Sequence, residues 1–187
     1  MDLQRHKHAL QRAGVIFESG LTQIEIRRLE ARHGLTFPPD LNQFLAFALP
    51  VSPPFLDWRH ASAQRIEEAL GWPLDGICFD IEQNSFWLEE WGPRPKSLDD
   101  AFSIAKKAVE SAPTLIPVYS HRYIPDRPNE PANPVFSVHQ TDIIYYGSDL
   151  ANYFEREFGN YFGQGEQVEL GSIKRIEFWG RLAEWDI

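Results

Sequence analysis

Asn133–Phe154, NPVFSVHQTDIIYYGSDLANYF, is the stretch that decides the fold. Val135 to His139 reads as one short β-strand, Gln140 and Thr141 as a tight connection, and Asp142 to Tyr146 as the returning strand. Gly147 ends that strand, where either a positive φ or a close backbone approach calls for glycine. The hydroxyl of Ser148 is expected to cap a helix whose apolar stripe is Leu150, Phe154 and Phe158. A strand, turn, strand, cap and helix are thus specified in one short segment, and no catalytic motif competes with them.

Working outward, the flanking segments alternate between helices and short strands. Thr22 and Glu25 have capping-box spacing, Leu21 and Ile26 that of a hydrophobic staple, and Gly34 offers a left-handed exit, so Leu21 to Gly34 is a helix. Residues 1–14 form a weaker helix with Leu3 and Leu10 on one side. Pro38 and Pro39 open the next helix, whose buried face is Leu41, Phe44, Leu45, Ala48 and Leu49. Ser62 to Leu70 is read as a short helix closed by Gly71. Ile77–Asp80 and Phe86–Leu88 are read as strands around the polar turn Glu82-Gln83-Asn84-Ser85. Ser97 to Ala112 is a helix with Ser97 as its cap and Asp99 and Asp100 in its positive first turn. Leu115 to Tyr119 is a strand in which Pro117, having no amide to donate, points to an edge or a strand end. Asn160 to Gly165 reads as irregular, and Ile176, Trp179 and Leu182 suggest a last short helix.

The bulk properties bound the class. At 187 residues the chain is expected to form one domain, and 43% hydrophobic and 13% aromatic residues are ample for a core. A net charge of −9 argues against a basic stripe for direct nucleic-acid binding and suits either solubility or a basic protein partner. Cys78 is the single cysteine, so no intrachain disulfide forms. The N-terminus has no signal-peptide core, and no window is long and apolar enough for a membrane span. These features predict a soluble cytoplasmic protein without membrane contact.

Chemistry-bearing constellations are sparse. The 6 histidines are scattered and no HExxH is present, so neither a metal nor any other cofactor is expected. GxSxG, GxGxxG and the P-loop pattern are absent. Cys78 sits in the apolar run Ile77-Cys78-Phe79 and reads as a core thiol. The best enzyme-like set is His121, Arg122 and Tyr123 with His139, Asp142 and Tyr145, which offers a base, a cation, a carboxylate and phenols. Such residues are also common at hairpin ends and strand edges.

More distinctive is an acidic window. Between Arg65 and Arg94 there is no lysine or arginine, while Glu67, Glu68, Asp75, Asp80, Glu82, Glu89 and Glu90 are interleaved with Trp72, Trp87 and Trp91. Carboxylates steer a basic partner and tryptophans supply contact area, which marks Glu82, Trp87, Glu89, Glu90 and Trp91 as a candidate partner-binding set. The same pattern also fits a solvated acidic rim over core tryptophans.

The segments IEIRRLEARHGLTFPPDLNQFLAF, PLDGICFDIEQNSFWLEEWG, LIPVYSHRYIP and the opening stretch, in that order, resemble the SUKH superfamily of Smi/Knr-type cell-wall regulators and bacterial immunity proteins. The resemblance spans about residues 20–158. It implies an α+β fold in which N-terminal helices pack a mainly antiparallel, twisted sheet. It also implies a binding role without catalytic residues: an immunity protein that neutralises a secreted toxin, often a nuclease, which with the acidic charge makes occlusion of a basic toxin surface the first reading. A regulatory scaffold of cell-wall synthesis is the second reading. A hydrolase or ligand-binding protein using His121, Arg122, Asp142 and Tyr145 is the third.

Overall fold

A computed structural model describes residues 1–162 and 169–184. The fold is α+β, and its centre is an antiparallel four-stranded sheet in the order β3-β4-β5-β6. These strands are β3 (Leu115–Tyr119), β4 (Arg122–Pro125), β5 (Val135–His139) and β6 (Asp142–Gly147). Pro117 lies on the edge strand β3, where a missing amide removes no interior ladder bond. In the β5–β6 hairpin Phe136 stands opposite Tyr145 and His139 opposite Asp142.

Both faces of the sheet are covered, because alternate side chains along each strand point to opposite sides. Ile116, Val118 and Ile124 join one core with the N-terminal helices α1 (Leu3–Arg12), α2 (Gln23–His33) and α3 (Pro39–Phe47) and with α6 (Leu150–Glu157). Leu115, Tyr123, Phe136, Val138 and Ile143 join a second core. Its other wall is α4 (Ala63–Gln83), α5 (Leu98–Ser111) and the short C-terminal α8 (Trp179–Ala183). A two-stranded ribbon of β1 (Phe17–Ser19) and β2 (Ala48–Pro50) lies beside the N-terminal helices.

The N-terminal signals act as their spacing predicts. Thr22 and Glu25 form a reciprocal capping box, Leu21 and Ile26 are buried in the same core, and Gly34 ends α2 at φ 65°. Glu25 has a second task. Its carboxylate accepts from Arg59 Nε at 2.8 Å, while the same guanidinium reaches Glu18 and the carbonyls of Ser19 and Gly20. The Arg59 bond, then the Thr22 amide and hydroxyl, hold the Glu25 carboxyl down at about 2.

Four expectations are corrected. Ile77–Asp80 is not a strand: α4 runs unbroken through Gly71 and Pro73 to Gln83, and Phe86–Leu88 is an irregular link to the 3-10 turn Glu89–Trp91. Ile66, Pro73, Ile77 and Ile81 are all buried at helical spacing, so burial of one stripe outweighs the local breakers. A proline inside a helix leaves the carbonyl four residues earlier without its amide. Here that carbonyl is Ala69, and the Tyr123 hydroxyl donates to it at 3.0 Å. Ala48 and Leu49 leave α3 and enter β2, remaining fully buried there.

The third correction concerns the cap of α6. It is Asp149, which accepts from the Asn152 amide at 2.7 Å, whereas Ser148 donates its own amide to the Asn152 side chain at 3.0 Å. Gly147 has no positive φ; it is glycine because a Cβ there would lie 2.6 Å from Tyr153 Cβ and 2.7 Å from its Cα. Of the segment expected to be irregular, Gly159–Phe162 forms the short helix α7, and Gly163, Gln164 and Gly165 lie outside the described residues.

Candidate functional site

With Ile66, Pro73, Ile77 and Ile81 facing the core, the opposite side of α4 carries Glu68, Trp72, Asp75, Phe79 and Glu82 at i, i+4, i+7, i+11 and i+14. That spacing puts them on one narrow stripe of the helix surface. Trp72 is 50% exposed and Phe79 47%, so two large aromatics stand in solvent between carboxylates. Aromatic side chains in that position mark a contact surface better than scattered aliphatics do.

Besides the Tyr123–Ala69 bond, the helix that presents them is held to the sheet at two further points. Asp80, which is buried, accepts from the Thr141 amide at 2.8 Å and from its hydroxyl at 2.6 Å. Burial alone would push the Asp80 carboxyl up, but the two Thr141 bonds and one from Asn84 bring it below its ordinary value. Gly76 sits over the hairpin turn, where a Cβ would lie 2.7 Å from Gln140 Cα. Asp80 is therefore a structural anchor of the acidic window and not part of a charged face.

Beside the first half of α4 runs an open groove of about 830 Å³, bounded by the Pro53–Phe55 loop and the ends of the hairpins. Phe55, Trp72 and Tyr123 line it together with Asp57, Glu68 and Asp75. Arg65, His121 and His139 also reach it. Burial, and then the neighbouring Arg122, depress the His121 pKa and favour its neutral ring. Burial raises the Tyr123 hydroxyl far above its ordinary value, and its proton is already committed to Ala69.

Of the predicted partner set, Glu82 lies in the last turn of α4, and Trp87, Glu89, Glu90 and Trp91 lie past its C-terminal end. Glu82, Glu89 and Glu90 are exposed, while Trp87 and Trp91 are half-buried and meet edge to face at 5.1 Å. Trp87, Glu89, Glu90 and Trp91 sit on a 3-10 turn and its approach, and Trp87 is not on the strand that was expected. The Trp87 indole donates to Gly92 O at 2.7 Å, and Glu90 is paired with Arg181 of α8 at 2.7 Å. Arg94 folds back to donate to the Ile81 carbonyl, covering the end of the helix. The alternation of exposed carboxylates with exposed large aromatics is therefore a feature of α4 itself. Sequence reading missed Phe79 because it placed that residue inside a strand, although the 68–72–75–79–82 spacing was the available signal.

The structure does not bring the enzyme-like set together. His121, Tyr123 and His139 border the groove. The Arg122 guanidinium also touches His121 Nε2, but it lies 3.8 Å from the centre of the Tyr146 ring, donates to Ser137 Oγ at 2.7 Å and pairs with Glu157 at 3.3 Å. Asp142 is exposed and lines a separate cavity with Phe86 and Leu182. Tyr145 packs under α8, so close that a Cβ on Gly180 would lie 2.5 Å from its hydroxyl. Cys78 is half-buried, and burial followed by the Asp75 charge raises its pKa, which disfavours the thiolate.

Among the described residues no group of three or more His, Cys, Asp or Glu side chains could hold a metal ion, and no helix is long and apolar enough to cross a membrane. Compared with protein-family models, with curated proteins and with solved structures, the chain matches none.

Proposed function

We propose that this chain is a non-enzymatic protein-binding module that receives a basic protein on the outward face of α4. The observation that carries this reading is the stripe on which exposed Trp72 and Phe79 alternate with Glu68, Asp75 and Glu82. Carboxylates accelerate the encounter with a positive surface, and aromatics hold the complex once water is expelled. The Asp80–Thr141 bonds fix the stripe before binding, so little ordering is required of this side. The resemblance to SUKH proteins supplies the partner class: a secreted toxin, such as a nuclease, whose basic surface the module would occlude. Glu82, Glu89 and Glu90 then act as steering charges, and Trp87 and Trp91 as an extension of the contact beyond the helix end.

The test is affinity capture from the native organism with the wild-type protein and with a Trp72→Ala/Phe79→Ala variant, followed by binding kinetics. The expected result is a basic protein retained by the wild type, released by the variant, and associating more slowly as salt rises. Equal retention by both proteins, or an association rate unaffected by reversing Glu82, Glu89 and Glu90 together, would remove the reading.

A further inference from the structure

We propose that the groove beside α4 is the anchor site for a single arginine or lysine side chain carried by a protein partner. This rests on the preceding reading and specifies what the partner must insert. The groove is continuous with the stripe, because Trp72 and Asp75 belong to both. A partner lying along α4 therefore has an opening beside it, and about 830 Å³ accommodates a long side chain with its flanking backbone.

The lining selects the charge of the occupant. Asp57, Glu68 and Asp75 face the groove against Arg65, the one permanent cation lining it among the described residues. Arg65 is itself drawn toward Glu68, with 3.9 Å between guanidinium and carboxylate. Among the described residues neither Asp57 nor Asp75 has an ion-pair partner. Asp57 is held in place by the amides of Arg59 and His60, each 3.0 Å from its Oδ1. His121 adds little opposing charge, since burial and Arg122 favour its neutral ring. An anion would thus meet carboxylates from both walls. A cation meets carboxylates at the rim and the rings of Phe55, Trp72 and Tyr123 along the sides, an environment suited to cation–π contact. Guanidinium fits both features, because it stacks on rings and bridges carboxylates with fixed donors.

The test needs no identified partner. A capped Gly-Arg-Gly tripeptide is titrated into isotopically labelled full-length protein, and the Trp72 indole and the Asp75 and His121 amides are followed by NMR. A Gly-citrulline-Gly peptide, similar in shape and uncharged, and inorganic phosphate serve as comparisons. The arginine peptide is expected to give saturable shifts at these three residues, weakening in higher salt. Its affinity should fall about tenfold in Glu68→Gln/Asp75→Asn protein, about the amount one lost charge-assisted contact represents. Equal shifts with the citrulline peptide, an unaltered affinity in the double variant, the absence of shifts with arginine, or shifts with phosphate alone would each overturn the proposal. If the peptide fails while captured partner still depends on Trp72 and Phe79, only the anchor site is lost. If the peptide binds while capture fails, the α4 docking reading falls and the cation site stands.

Discussion

Removing the Tyr123 hydroxyl isolates one hydrogen bond with one task. Residue 73 is proline, so the Ala69 carbonyl has no amide within α4, and the Tyr123 hydroxyl 3.0 Å away is its donor. Tyr123 is only 3% exposed, so Tyr123→Phe leaves the rest of the ring packed and deletes little else. An acceptor stripped of its partner in a buried site costs about 1–3 kcal/mol. Because Ala69 borders the open groove, where water can reach it, the lower half of that range applies, about 1.5 kcal/mol. In a Pro73→Ala background the restored amide takes the carbonyl, and Tyr123→Phe should then cost less than about 0.5 kcal/mol. Pro73→Ala alone recovers helix propensity of up to about 3 kcal/mol but orphans the phenol, so its net gain is smaller. The four proteins form a double-mutant cycle, measured by urea denaturation with tryptophan fluorescence. The expected coupling is about 1 kcal/mol; additivity within about 0.5 kcal/mol would refute the assignment of Tyr123 as the surrogate donor.

Asp149→Ala should lower stability by about 1 kcal/mol through cap loss, while Ser148→Ala stays within about 0.5 kcal/mol. Urea midpoints in the reverse order would return the cap to Ser148. Gly147→Ala forces a Cβ against the backbone and Cβ of Tyr153 and should cost about 2 kcal/mol or more, so an unchanged thermal midpoint would contradict the close approach. Glu25 titrates near 2 in the folded protein against an ordinary 4.5, so the folded state binds fewer protons between those values. Its contribution is complete above pH 4.5 and is lost as pH falls toward 2. The urea midpoint should therefore drop across that window in the wild type and drop less in Glu25→Gln, and parallel acid limbs would refute the Arg59–Glu25 link.

Where structure depended on neighbours in sequence, it was legible. The capping box of α2 and the β5–β6 hairpin each use residues a few positions apart, and the edge placement of Pro117 follows from its missing amide. Failures came where a distant group decided the outcome. Gly71 and Pro73 read as breakers because nothing local shows that Tyr123 will replace the lost amide. Ser148 and Asp149 are both competent caps, and the contact of Gly147 with Tyr153 helps set the approach to the helix. Charge composition marks an acidic segment but not which of its carboxylates stay without a partner. It could not show that Asp80 turns inward to Thr141, or that Arg181 pairs with Glu90. The groove joins loop, helix and hairpin ends from four separate parts of the chain, so no local pattern announces it.

The clamp between Asp80 and Thr141 also sets how the molecule opens. An amide at the tip of a two-residue hairpin ordinarily faces water and exchanges its hydrogen quickly. The Thr141 amide instead points into a buried carboxylate on a different element, so it exchanges only when α4 separates from the turn. Its protection factor therefore reports the free energy of releasing the helix, not the mobility of a loop. Thr141 and the amides in the second half of α4 should exchange together as one cooperative unit, and this single amide becomes a native gauge of how firmly that helix is seated.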